Sequence, residues 1–262
     1  MFRRSAWALC VLAVLLLTAC ARMPNGPEGM FLLSSEEQEL AMGERDARTL
    51  LLNEKQSADA LRAGRVRRVG QRLAAVAGRP EYVWEFHLLE RNLVGSLCLP
   101  GGKVFVYAAT MELAASDDEL AAVMGHEIAH ALLRHYGERM ALIAVNYGML
   151  GPSAREIFAP KSQPEEGGNL ALQQSAAASV RYSPRRELEA DELGMTLAAK
   201  AGFEPVAALV FWCKADAAAK AKGPTASNWM PLHPIDEARL TALAAKAGSI
   251  REASFPRMPQ PR

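Results

Sequence analysis

Apolar residues recur at helical spacing through most of the chain and at strand spacing in one short region. Between residues 116 and 136, Leu120, Val123, Met124 and Ile128 fall along one stripe of a helix. Ser116 precedes them as a cap with Glu119 three residues on, the pattern of a capping box, and Asp117, Asp118 and Glu119 suit the positive end of the helix. Upstream, Ser34-Ser35-Glu36-Glu37-Gln38 opens a helix running towards Leu52. Leu61, Val66, Val69, Leu73 and Val76 mark a second over residues 58–77, stopped by Gly78 and Pro80. Residues 82–89 change to the two-residue alternation of a strand, residues 103–107 form another, and residues 98–102 read as the turn between them. Residues 140–150 continue helical and apolar. Residues 151–169, with Pro152, Pro160, Pro164, Gly167 and Gly168, show no period and read as a surface loop, either a lid or a disordered stretch. Ser183 and Pro184 start another helix, and His233-Pro234 opens the last clear one. The pattern predicts an α+β domain that is mainly helical, with a small sheet.

At the N-terminus Arg3 and Arg4 precede an apolar run over residues 6–17, shorter than the ~20 residues that span a membrane. Ending in Leu17-Thr18-Ala19-Cys20, it reads as a secretory signal whose last residues resemble a bacterial lipobox. That implies cleavage before Cys20, lipidation of its thiol and, with Ala21 next, sorting to the outer membrane. A plain signal peptide or an uncleaved anchor is the alternative. The expected divisions are a signal peptide over residues 1–19, a lipidated tether over 20–33, one folded domain over 34–250 and a flexible tail over 251–262. A hydrophobic content of 50% supports a single core, and a net charge of +1 makes Arg62, Arg65, Arg67 and Arg68 a solvated helix face rather than a nucleic-acid site. Of four cysteines, Cys10 leaves with the signal and Cys20 takes the lipid. Cys98 and Cys213 either pair in an oxidising compartment or stay as free thiols.

The chemistry sits in His126-Glu127-Ile128-Ala129-His130. Histidines four apart share one helix face, where two neutral imidazoles hold Zn²⁺, and the intervening Glu127 reaches a metal-activated water as general base. Such a site needs a further protein ligand. Glu187 qualifies, with Asp191 one turn on as the acceptor that orients a ligand imidazole, while Glu189 between them is expected to affect neither metal nor activity. His135 is one residue off the register of an extended His-Glu-x-x-His-x-x-Gly-x-x-His motif, since Leu133 and Tyr136 stand at its other positions; it reads as a helix-end residue favoured by the dipole. His87 alternates with Trp84, Phe86 and Leu88 on a strand and reads as half-exposed and structural. His233, at a loop-to-helix junction, either approaches the metal or caps the helix. The strand over residues 103–107 directly precedes the metal helix, so a sheet edge along the cleft would let an extended peptide add as a further strand; a wholly structural hairpin is the other reading.

His126-Glu-Ile-Ala-His130, Glu187-Leu-Glu-Ala-Asp191, the Leu99-Pro-Gly-Gly turn and His233-Pro234 with Arg239 occur in the order found in the M48 family of zinc metallopeptidases, and the resemblance covers about residues 34–248. It points in particular to secreted bacterial lipoprotein members, related to the family's mitochondrial inner-membrane protease and more distantly to the CAAX prenyl protease and HtpX. Where the family often has Asn-Ala-Phe before the turn, this chain has Gly95-Ser96-Leu97. The resemblance implies a zincin-like metallopeptidase fold whose edge strand borders the active cleft, with one Zn²⁺ per chain held by His126, His130 and Glu187. It also implies Glu127 as general base, Asp191 behind the ligands, and His233 facing the metal at rest or in the transition state. The expected function is a zinc endopeptidase cleaving unfolded or misassembled proteins of the bacterial envelope. It would be lipid-anchored on the periplasmic face of the outer membrane, or less favourably the inner, with no nucleic-acid partner. The alternatives are a chaperone-like outer-membrane assembly factor, which an intact Glu127 disfavours, and a zinc hydrolase with a non-peptide substrate.

Overall fold

The structure, a computed structural model, describes residues 32–146, 182–222 and 233–254. The expected signal peptide, Cys20, most of the tether and the 151–169 loop lie outside the described residues. Two helices lead, α1 (Glu36–Asn53) and α2 (Ala60–Val76), close to the predicted bounds. The capping box is complete in α1, where Ser35 accepts from the Gln38 amide and Gln38 returns a bond to the Ser35 amide.

Three strands follow: β1 (Glu85–Leu89), β2 (Ser96–Leu99) and β3 (Lys103–Tyr107). The expected turn at residues 98–102 is in part strand, because Cys98 and Leu99 belong to β2 and the reversal is confined to Pro100-Gly101-Gly102. Both glycines have positive φ, 85° and 88°, which lets the chain turn within three residues. The two predicted strands therefore do not form a hairpin with each other. The hairpin is β2 with β3, while β1 runs parallel to β3 on its other side, giving the order β1-β3-β2. Buried along its whole length, β3 is the central strand, and the edge strand that packs along the metal helix is β2.

After a short α3 (Ala108–Leu113) comes α4 (Asp117–Leu132), which carries His126, Glu127 and His130. Ser116 caps it by accepting from the Glu119 amide, but Glu119 bonds the amide of Ala115 rather than Ser116, and Lys214 holds its other side. A one-sided apolar stripe was expected, yet every residue from Glu119 to Ala131 is buried. Ala121, Ala122, Ala129 and Ala131 make this possible, since small side chains let α2, α6, α7 and the sheet close on α4 from several directions.

The helix predicted through residue 136 ends at Leu132. Arg134 takes the left-handed conformation, φ 61°, and its guanidinium is held by both oxygens of buried Glu39 at 3.0 and 2.7 Å and by the Ser34 carbonyl at 3.0 Å. This reversal makes His135 the first residue of α5 (His135–Asn146), not the last residue of the metal helix, so the dipole favours no positive charge on it.

Helix α6 (Pro184–Lys200) starts at the expected Ser183 cap and crosses α4 closely at a pair of glycines. A Cβ on Gly194 would lie 2.7 Å from the His126 amide nitrogen, and one on Gly125 would lie 2.9 Å from the Gly194 carbonyl oxygen. Only backbone meets backbone there, which places the start of α6 beside the histidine face of α4. Helices α7 (Ala207–Lys222) and α8 (Glu237–Ser254) complete the shell, with Phe211, Trp212 and Leu243 in the core. Helix α8 runs four residues into the stretch expected as tail. Among the described residues no helix is long and apolar enough to cross a membrane.

Candidate metal centre

Helix geometry alone brings the Nε2 atoms of His126 and His130 to 3.0 Å from each other. The α4–α6 crossing adds Glu187, whose Oε2 lies 3.5 Å from His126 Nε2 and whose Oε1 lies 3.4 Å from His130 Nε2. The residue preceding Pro234 supplies a fourth group: His233 Nδ1 is 3.2 Å from His126 Nε2 and 3.1 Å from Glu187 Oε1. Donor atoms of these four residues all lie within 4.8 Å of one another, and all four side chains are buried. His233 thus approaches the cluster rather than capping the last helix, which begins at Glu237.

Proton accounting decides what such a cluster can hold. His126 Nδ1 faces the Asp191 carboxylate at 2.8 Å, so a neutral His126 carries its proton on Nδ1 and turns a bare Nε2 inwards. Burial, the largest influence, pushes the His126 pKa down to about 4, with His130 acting in the same direction and Asp191 opposing. Two lone-pair nitrogens and a carboxylate converging in a dry interior repel one another unless a cation lies between them. A tetrahedral ion with bonds of about 2.0–2.1 Å spaces its donors about 3.3–3.4 Å apart. Five of the separations here run from 3.0 to 3.5 Å, and all four donors lie within 4.8 Å of one another. The residues fit a zinc-sized ion.

Other groups brace the cluster. Burial pushes the Glu187 carboxyl up, but the imidazoles of His233, His130 and His126 together hold it well below the usual carboxylate range. Arg239, buried at the start of α8, bonds Glu187 Oε2 at 2.6 Å and grips Asp191 with two bonds of 2.7 and 2.9 Å. The sequence resemblance included Arg239 without a role; its place is to balance these two carboxylates. Trp212 packs edge-on against His126, and Tyr182 stacks on the His130 ring at 4.1 Å. Neither aromatic was foreseen, though Tyr182 adjoins the Ser183 cap. Glu127 is buried, with Oε1 3.6 Å from His233 Nε2, on the same helix as the two imidazoles.

His87 matches its structural reading: it is partly exposed, lies between Gln56 and Glu85, and stacks on Phe105. Glu189, expected to affect neither metal nor activity, reaches towards the cluster through His135. Its Oε2 lies 3.2 Å from His135 Nε2, and His135 Nδ1 lies 3.0 Å from His130 Nδ1. His135 is fully buried; burial first, then His130 and Arg186, pushes its pKa down to about 3, so the ring is neutral. Cys98, buried on β2, and Cys213, exposed on α7, are both free thiols.

Residues 60–247 match the sequence profile of peptidase family M48. The chain belongs to peptidase family M48. Its relatives include the mitochondrial metalloendopeptidase OMA1 of Schizosaccharomyces pombe, 31% identical over 67% of this chain and 50% of that protein. Human metalloendopeptidase OMA1 is 29% identical over 68% of this chain and 35% of its own length. A beta-barrel assembly-enhancing protease of Yersinia pestis is 27% identical over 83% of this chain and 45% of that protein. The chain thus spans half or less of these curated relatives. The family match over residues 60–247 includes all four residues of the histidine–carboxylate cluster.

Proposed function

We propose that the protein is a zinc-dependent endopeptidase of the bacterial envelope acting on unfolded or misassembled proteins. The observation that carries this reading is the buried four-donor cluster, all within 4.8 Å, built around a His-Glu-x-x-His helix whose two imidazole nitrogens lie 3.0 Å apart. His126, His130 and Glu187 would hold one zinc ion. Zinc in that position supplies Lewis acidity, polarising a peptide carbonyl and acidifying water. Asp191 keeps the His126 proton on Nδ1, and Arg239 offsets the charge of Asp191 and Glu187. Glu127 is the general base: beside the histidines on α4, its carboxylate accepts the proton of the attacking water and delivers it to the leaving amine. The edge strand β2, paired on one side with β3, offers its other side to an extended substrate backbone.

His233 restrains the site in this reading. Its Nδ1 stands where a fourth donor would, and its Nε2 faces Glu127, so it fills the position that water and substrate need. Moving it away is the activating step. His233→Ala should then raise cleavage of a loosely folded substrate; a fall of roughly 10²–10³ would instead make it a transition-state group.

Attachment through a lipidated Cys20 at the periplasmic face of the outer membrane completes the proposal, with the inner membrane as the lesser alternative. Cys20→Ser should release the protein from the membrane fraction, and unchanged fractionation would remove that part. A second reading, an assembly factor in which client binding outweighs hydrolysis, draws on the name of the Yersinia pestis relative. Casein cleavage by the purified protein separates the two: the wild type should cleave, and Glu127→Gln should retain zinc while losing about 10²–10⁴-fold in turnover. A zinc-loaded Glu127→Gln protein with wild-type turnover would overturn the mechanism, and a zinc-loaded wild type that binds unfolded chains without cutting them would favour the assembly factor.

A further inference from the structure

His126 has a carboxylate directly behind it, whereas His130 has another imidazole. His135 Nδ1 lies 3.0 Å from His130 Nδ1 with the rings at 69°, and His135 Nε2 lies 3.2 Å from Glu189 Oε2. The carboxylate at the end of this series is itself pinned. Glu189 Oε1 accepts from Arg185 Nε at 2.8 Å, and Oε2 accepts from Arg186 Nη1 at 2.8 Å. Arg186 is buried and bonds both oxygens of Glu138 on α5 at 2.7 and 2.9 Å, so the helices carrying His135 and Glu189 are clamped to each other.

Two imidazoles facing Nδ1 to Nδ1 share a single proton. If it sits on His135, then His130 Nδ1 is bare and its proton moves to Nε2, directed at His126 Nε2 only 3.0 Å away and into the cluster. If it sits on His130, then His130 Nε2 is bare, His135 Nδ1 accepts, and the His135 proton occupies Nε2, where Glu189 accepts it. One tautomer pair satisfies every nitrogen and leaves the cluster able to hold a cation. The anionic acceptor on Glu189 is what selects it.

We infer that His135 and Glu189 are positioning residues, a relay that fixes the tautomer and ring orientation of His130 as Asp191 does for His126. This rests on the reading of His130 as a metal ligand. The left-handed turn at Arg134 gains a purpose from it. Continuing α4 helically would keep residue 135 on its own helix face, whereas restarting the chain at α5 sets His135 behind His130.

The test is zinc affinity by chelator competition, with the visible spectrum of the cobalt-substituted protein and the melting temperature of the metal-free protein beside it. His135→Leu keeps apolar bulk but offers no acceptor, and should lower zinc affinity roughly 10–100-fold and alter the cobalt spectrum. His135→Asn places an oxygen near the former Nδ1 and should restore affinity to within a few-fold of wild type. Glu189→Gln should lower affinity by a smaller factor and should add nothing in the His135→Leu background, since the two act in series. Wild-type affinity in His135→Leu, or a His135→Asn protein no better than it, would leave His135 as packing only and overturn the relay. Should His135→Leu fail to fold, the Asn and Gln variants decide alone: additive effects of those two changes overturn the series. His130→Ala is the control for the underlying reading. If it binds zinc as wild type does, the ligand assignment itself fails; if it loses zinc while His135→Leu does not, only the relay fails.

Discussion

The close crossing of α4 and α6 at Gly194 predicts a sharp effect from one methyl group. In Gly194→Ala the new Cβ would stand 2.7 Å from the His126 nitrogen and 2.9 Å from both Gly125 C and His126 Cα, against an ordinary contact of 3.4–4 Å. Every one of these atoms is backbone, so no side chain can rotate aside, and α6 must move away from α4 by the better part of ~1 Å. Overpacking of this kind costs about 1–3 kcal/mol, offset by about 1 kcal/mol because alanine favours the helix. The net loss is up to about 2 kcal/mol, or several degrees in melting temperature at roughly 2–4 °C per kcal/mol. The larger consequence falls on the cluster. Glu187 rides on α6 and the two histidines on α4, and ligand distances tolerate only about 0.2 Å, so zinc affinity should fall at least roughly tenfold. Gly64→Ala in α2 is the matched control, since its Cβ would find nothing nearer than 3.8 Å and should stabilise by up to about 1 kcal/mol with zinc binding unchanged. Chelator-competition titration and thermal unfolding of both variants are the assays. Wild-type zinc affinity in Gly194→Ala would refute the claim that the glycine crossing sets the metal site.

Stripping zinc with a chelator should lower the melting temperature of the wild type and of Glu127→Gln equally, because ligand-linked stability depends on binding and not on turnover; calorimetry with and without chelator checks this. Arg239→Met leaves Glu187 and Asp191 buried without their cation and should destabilise the metal-free protein by about 3–5 kcal/mol, and by less when zinc is present to balance Glu187; equal losses in the two states would contradict the charge-balancing role. Arg134→Gly fits the left-handed backbone but removes the bonds to Glu39 and Ser34, so its melting temperature should fall despite relieved strain, and a rise would show that the ion pair contributes nothing.

Much of the site was legible because it depends on short-range rules. The four-residue spacing of His126 and His130 and the Ser183-Pro184 start that aims Glu187 and Asp191 inwards need only helix geometry. What escaped depends on where helices stop and cross. Nothing local announced that Arg134 would leave the helix, because its left-handed turn is held by Glu39, 95 residues away in sequence. His135 and Glu189 therefore read as bystanders. The sheet order escaped for a related reason: alternation in residues 82–89 and 103–107 marks strands but not partners, and β2 was hidden by its overlap with the Pro-Gly-Gly turn. The all-round burial of α4 escaped because its contacts run through alanines, which carry little periodic signal.

In the proposed zinc site His126, His130 and Glu187 bind the ion and Glu127 takes the proton of the attacking water. Metal content of the purified protein, measured by mass spectrometry alongside Glu187→Ala and Glu127→Gln, tests it most directly. About one zinc per chain is expected in the wild type and in Glu127→Gln, and almost none in Glu187→Ala. A wild type without zinc after growth in zinc-replete medium, or a Glu187→Ala protein that keeps its full complement, would contradict it.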